Sequence, residues 1–229
     1  MTDVSALEAI RTNPAVRAFT DAPVTDEQIH RILDAARFAP SGANQQPWHV
    51  VVVRDRAKRE QIRQLSQQTW NEYTAQMAVG QRPFAPSADG RWHGTSVDLA
   101  AARIQPSRSE FLDSIVDVPV VLVVLVRLTA LAMMDVELDR EHFVAGGSIY
   151  PFCQNILLAA RAEGLGGTLT TFLSRRENEA RAVLNFPTEY AIASLITLGH
   201  PEKHVTKLKR RAVNEFTTID TFDGSTFGG

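Results

Sequence analysis

The sequence has a single cysteine, Cys153. That excludes an intramolecular disulfide framework, a CxxC redox pair and a cysteine-rich zinc site. It has no charge excess: 24 Lys and Arg against 26 Asp and Glu give a formal net charge of -2. A general electrostatic pull toward nucleic acid or anionic lipid is therefore absent. The longest apolar run, Val118 to Val126, is far short of the ~20 residues of a membrane-spanning helix. Met1 to Ala9 carries Asp3 and Glu8 and has no apolar stretch, so it does not read as a signal peptide. The expected location is the cytoplasm. Internal repeats and low-complexity tracts are lacking as well. The bulk composition is ordinary, with 44% hydrophobic and 22% charged residues, which suits a globular chain with a real core. The length suits one domain over 1–229.

Periodicity predicts helices and strands in irregular alternation. Val4, Leu7 and Ile10 form a short helical stripe. Thr25 with Gln28 reads as a capping box ahead of Ile29, Ile32, Leu33 and Ala36, and Pro40 stops that helix. Val50 to Val53 reads as a buried strand, and Asp55 caps a helix with Ile62, Leu65 and Thr69 on one face. Gly80 to His93 is a loop carrying Phe84 and Trp92. Its length suits a lid or binding loop, with a disordered surface insertion as the other reading. Ser107 and Glu110 suggest a capped helix, and Pro119 to Val126 is the strongest strand. Ile149 to Glu163 is the clearest helix, with Gly164 as its stop. Gly167 to Phe172 reads as strand, Ser174 with Glu177 as a capping box, and Ala191 to Leu198 as strand. Together these predict a three-layer mixed α+β fold.

Four segments carry the polar chemistry. Arg11 to Phe19 is basic at Arg11 and Arg17; Pro40 to Trp48 is dense in amides, with Ser41, Gly42, Asn44 and Gln46. Gly164 to Thr171 is glycine-rich and joins helix to strand; Lys207 to Arg211 is a basic cluster. Arginine forks and lysines match a phosphate. Neutral amides match a polyol or a uracil-like ring edge. Glycines let a flat ring approach the backbone. A phosphate, a polyol and a polar-edged flat ring together describe FMN. Taken singly, each segment also has a plainer reading, as solvated surface, helix stop or turn. Other features point elsewhere and are set aside. His200 and His204 are separated by Pro201 and lack a third metal ligand, Cys153 reads as a small core residue, and Asp135, Glu137 and Asp139 read as an acidic solvated edge. Gly164 to Gly167 closes a helix, where a dinucleotide fingerprint opens one.

In this order the segments resemble the FMN-dependent nitroreductase family. The resemblance runs from Ile10 to about Val213 and is carried by Arg17-Ala18-Phe19, by Pro40-Ser41-Gly42-Ala43-Asn44-Gln45-Gln46-Pro47-Trp48, by Asn155 to Gly166 and by Leu198-Gly199-His200-Pro201. It implies a mixed, mainly antiparallel sheet flanked by helices, in an intertwined homodimer with non-covalent FMN at the subunit interface. It implies electron transfer from NADPH or NADH through the flavin to a small organic acceptor such as a nitroaromatic or a quinone, by ping-pong turnover. It places Arg17 at the flavin pyrimidine edge, Asn44 with Ser41, Gly42 and Gln46 at the ring or ribityl chain, and the backbone of Thr170, Thr171 and Phe172 near N5. The phosphate falls to Lys209, Arg210 and Arg211. The family places an arginine or histidine pair where this chain has Asn13 and Pro14, so Arg11 or Asn13 takes part of that task. Residues 70–115 form an insertion that shapes the acceptor site. Phe84 and Trp92 either stack on the acceptor or pack the subunit interface, and residues 200–229 pack on the partner. The flavin carries the chemistry, and no protein acid or base is required. Relatives on the same scaffold dehalogenate, oxidise rings or cleave flavin, and these, with a non-catalytic flavin-sequestering protein, remain the alternatives.

Overall fold

The apolar run after Pro119 has no polar face, and it takes the place such a run demands. It forms β2 (Val120–Arg127), an inner strand buried on both sides. The computed structural model describes residues 4–228; Asp3 of the N-terminal segment lies outside them. The sheet order is β1-β2-β4-β3, with β1 at Trp48–Val52, β3 at Gly166–Thr170 and β4 at Tyr190–Gly199. These strand pairs are antiparallel. A parallel element comes from outside the strands, where Ala15 bridges Gly167.

Side chains of β2 alternate between two cores. Val120, Leu122, Val124 and Val126 meet α2 (Asp26–Ala36) and α6 (Tyr150–Ala162). Val121, Val123 and Leu125 meet α3 (Arg56–Ala78), α5 (Glu110–Ser114) and α7 (Glu177–Leu184). Two further helices are α1 (Ala6–Arg11) and α4 (Leu99–Arg103). This is the three-layer α+β arrangement that the periodicity predicts. A bulge in β4 opposite Val124 and Leu125 turns Ser194 toward Cys153, with Oγ and Sγ 3.4 Å apart. Burial pushes the Cys153 thiol up, which keeps it inert. Among the described residues, no helix is long and apolar enough to cross a membrane.

Local signals hold where the chain's own neighbours supply the partner. The Thr25–Gln28 capping box forms in both directions, at 3.2 and 3.0 Å. Asp55 accepts the Lys58 amide at 2.8 Å, and Gly164 ends α6 with φ +80.

Where tertiary partners compete, the local reading moves. The cap of α5 is Ser109, not Ser107, because Asn71 of α3 takes the Ser107 amide at 3.1 Å and Gln67 donates to its carbonyl at 2.6 Å. Ser174 and Glu177 form no capping box: Ser174 donates to the Ile192 carbonyl at 2.9 Å and Glu177 accepts the Ile192 amide at 2.7 Å. The apolar stripe at Leu7 and Ile10 of α1 faces out, 64% and 58% exposed, and Ala9 is buried instead. Asp135 is not on a solvated edge. It is buried and accepts the amides of Phe143 and Val144 at 3.0 and 3.3 Å and Arg140 Nη1 at 2.8 Å. Burial alone would raise its pKa; these donors outweigh it and hold the carboxyl at about 2. The 80–93 loop is docked rather than loose. Gly90 accepts the Glu141 amide at 2.9 Å, and Glu141 Oε1 accepts the Trp92 amide at 3.1 Å.

Candidate functional site

Two glycines build the first half of the site. A Cβ at Gly166 would meet Val16 Cγ2 at 2.6 Å, and one at Gly167 would meet the Thr197 carbonyl at 2.6 Å. Without side chains there, the segment after Asn13 lies along β3, and the Val16 amide donates to the Gly167 carbonyl at 2.8 Å. The closeness these glycines permit is thus used by Val16 and the neighbouring strand, not by a bound ring. Beyond Gly167 no other strand pairs with the outer edge of β3 among the described residues. Arg17 emerges beside that edge.

Arg17, the stretch Thr168 to Phe172, Trp70 and Tyr73 of α3 and Phe111 of α5 line a cleft of about 560 Å³. The Arg17 guanidinium carbon lies 5.8 Å from the Phe111 ring centre. Trp70 and Tyr73 stack at 5.7 Å, and Phe172 meets both edge-on, at 5.6 and 5.7 Å. The Phe172 amide donates to Thr170 Oγ1 at 3.3 Å. The Thr171 amide makes no hydrogen bond among the described residues. The cleft therefore offers aromatic walls, one cation and unpaired backbone, the donor set for a flat ring with a polar edge.

The second half is the loop Ser41 to Gln46. Ala43, Asn44 and Gln46 all have positive φ, at 49, 53 and 45. Such backbone costs L-residues about 1–2 kcal/mol each and concentrates at functional sites. Ser41 Oγ accepts the Gln46 amide at 2.9 Å, Ser148 Oγ accepts the Gly42 amide at 3.0 Å, and Gln46 Nε2 donates to Asn44 Oδ1 at 3.3 Å. Trp48 fixes the exit of the loop by stacking on Phe152 at 4.6 Å. The loop opens β1, at the edge of the sheet opposite β3. Three strand spacings, about 14 Å, separate the two edges. Within one chain the cleft and the loop do not meet.

The basic candidates are dispersed. Arg11 ends α1 and is exposed. Asn13 borders a narrow crevice with Arg161 and Lys203. Lys209, Arg210 and Arg211 lie on an exposed arm and do not line the cleft. Arg210 donates to the Lys209 carbonyl at 2.8 Å, and Arg211 lies 5.7 Å from the Phe216 ring centre. From Val205 to Phe227 the hydrogen bonds stay within the arm among the described residues. Phe216, Ile219, Phe222 and Phe227 on it are exposed, Phe222 at 100%.

Phe84 and Trp92 wall a second chamber of about 670 Å³, which shares Tyr73 and Phe172 with the cleft. Sequence reasoning missed Trp70, Tyr73 and Phe111, because aromatics at helical spacing read as core. The signal that finds them is an aromatic pair at i, i+3 on a helix that runs past its expected core face to Ala78.

The nitroreductase family model matches residues 10–200. The chain belongs to the nitroreductase family. The matched span holds both halves of the site and ends before the basic arm. A nitrobenzene nitroreductase of Ectopseudomonas oleovorans is 29% identical over 93% of this chain and 95% of its own. The NADPH-flavin oxidoreductase of Vibrio harveyi is 25% identical over 87% of this chain and 67% of its own. The crystal structure of NADPH:FMN oxidoreductase from that organism, complexed with NAD+, aligns with a TM-score of 0.60 at 21% identity, over 90% of this chain and 72% of the other. A BluB-like flavoprotein from Clostridium difficile 630 aligns with a TM-score of 0.65 at 22% identity, over 95% of this chain and 99% of the other. These structures share the nitroreductase fold with this chain.

Proposed function

We propose that the protein is an FMN-dependent oxidoreductase that takes electrons from NADPH or NADH and passes them to a small organic acceptor such as a nitroaromatic or a quinone. The observation that carries this reading is the meeting of Arg17 with the free end of β3 in an aromatic cleft. The relatives named for nitro and flavin reduction support the same chemistry. Bound FMN supplies hydride acceptance and release at N5.

The chain's residues hold and tune that group. Arg17 faces the pyrimidine edge, where a cation favours the negative charge of the reduced ring. Thr170, Thr171 and Phe172 offer backbone beside N5. Trp70, Tyr73 and Phe172 exclude water from one side. Asn44 and Gln46, with Ser41 and Gly42, suit the polar ring edge or ribityl chain, but they lie at the far edge of the sheet. The site is therefore completed by a second copy of the chain. The outward Leu7 and Ile10 and the apolar arm supply surface for such a homodimer. The arm then carries Lys209, Arg210 and Arg211 toward the phosphate, with Arg11 and Asn13. The chamber walled by Phe84 and Trp92 receives the acceptor.

Anaerobic stopped-flow absorbance tests this reading. The FMN-loaded protein is mixed with NADPH, then separately with NADH. Rapid bleaching of the flavin band with either donor is expected. No bleaching with both would sink the reductase reading and leave ring oxidation, flavin cleavage or flavin sequestration.

A further inference from the structure

A buried group of charges lies beside the cleft of Arg17 and contributes no residue to its lining. Glu72 of α3 is fully buried. Its carboxylate serves two arginines from separate segments: Arg103 of α4, whose Nε donates at 2.7 Å, and Arg175 in the turn after β3, whose Nε donates to the other oxygen. A carboxylate stays buried and ionised only with such partners. Here the partners tie α4 and the end of the flavin strand to one point on α3.

The other side of Arg175 carries the docked loop. Its guanidinium carbon lies 4.4 Å from the Phe84 ring centre and 6.0 Å from that of Trp92. Gln76, one turn beyond Glu72 and also buried, accepts the Phe84 amide at 3.1 Å and donates to the Glu72 carbonyl at 3.2 Å. Phe84 has φ 52, a left-handed backbone that a phenylalanine resists. Strain of this kind persists only where the surroundings over-determine it. Gln76 and Arg175 are those surroundings.

We propose that Glu72 is a positioning and specificity residue for the acceptor: by holding Arg175 it fixes Phe84 and Trp92 as the outer wall of a near-neutral chamber that selects uncharged planar aromatics bearing oxygen. The inner wall is Tyr73 and Phe172, shared with the flavin cleft. Arg175 lines the chamber and matches a nitro or quinone oxygen as a donor. The charges balance there. Glu72 offsets one of its two arginines, and Glu141, the one acid among the chamber's lining residues, offsets the other. A carboxylate on the acceptor gains little net attraction. The inference rests on the reductase reading above.

The test compares nitrobenzene with 4-nitrobenzoate as acceptors for the FMN-loaded enzyme, in the parent and in Glu72→Gln. Removing the carboxylate leaves the two arginines with Glu141 alone, one positive charge in excess. The ratio of kcat/KM for 4-nitrobenzoate over nitrobenzene should rise at least about fivefold, with KM for nitrobenzene also rising as the aromatic wall loosens. A variant that merely loosened the fold would lower both substrates together and leave the ratio in place, which overturns the inference. If Glu72→Gln yields no flavin-binding protein, Arg175→Gln carries the test. It leaves Glu72 paired with Arg103, removes a cation from the chamber and should move the ratio in the opposite direction. An unmoved ratio there overturns the inference equally. Failure of the parent flavin to bleach with NADPH and NADH is a separate outcome, and it removes the reductase reading and this inference together.

Discussion

Arg17 and Glu72 show how differently two charged residues are written into a sequence. Arg17 sits in a short motif and lies beside the end of β3. Arg17→Ala is expected to weaken FMN binding roughly tenfold to a hundredfold, the loss of a hydrogen bond to a charged donor of about 1.5–3 kcal/mol. It should also lower the midpoint potential of the flavin. Fluorescence titration and spectroelectrochemistry check both, and parent-like values would move Arg17 out of the site. Glu72 has no local signal. On a long polar helix it reads as a solvated acid, and its partners Arg103 and Arg175 are far away in sequence. Asp135 was hidden in the same way, because its donors come from the returning chain at Arg140, Phe143 and Val144. Its folded pKa of about 2 lies below the ordinary value of about 3.9. The stabilisation it gives is therefore complete above about pH 4 and is lost as pH falls toward 2. Thermal unfolding across pH checks this: Asp135→Asn should be less stable than the parent at pH 6, and the gap should close in acid. A gap that widens in acid would contradict the assignment.

Elements were legible in proportion to how local their causes are. The capping box of α2, the aspartate cap of α3 and the glycine stop of α6 need only neighbouring residues, and all three form. The starts of α5 and α7 depend on Gln67, Asn71 and the β4 backbone, so their sequence signals misplace the caps. The docking of the segment after Asn13 onto β3 is also tertiary. The glycines signal a close approach, but not whose. Gly167→Ala tests that contact, since its methyl group would crowd Leu198 and the Thr197 carbonyl. Overpacking of this kind costs about 1–3 kcal/mol, and each ~1 kcal/mol lowers Tm by roughly 2–4 °C in a chain of this size. Calorimetry should show that fall, together with weaker FMN binding as Arg17 is displaced. A stable variant that loses FMN affinity alone would mean that the glycine faces the ligand after all.

At the scale of the whole molecule, the layers follow from apolar β2 and the amphipathic helices around it, and the sequence patterns predict them. What no single-chain pattern describes is the surface left over. Leu7, Ile10 and the phenylalanines of the arm are apolar residues with nothing to cover them within one chain. The two halves of the proposed flavin site stand at opposite edges of the sheet. The proposed dimer, in which Arg17 of one copy and Asn44 of the other would hold the same FMN, accounts for both. Hybrid dimers test this most directly. Arg17→Ala and Asn44→Ala chains carrying different tags are co-expressed, and the mixed dimer is purified and its bound flavin measured. Each variant alone should bind little FMN. The hybrid combines an intact Arg17 with an intact Asn44 at one of its two sites and should recover about half of the parent's FMN, as twofold symmetry requires. A hybrid that binds no more than either variant alone would place both residues in a site within one chain and contradict the account.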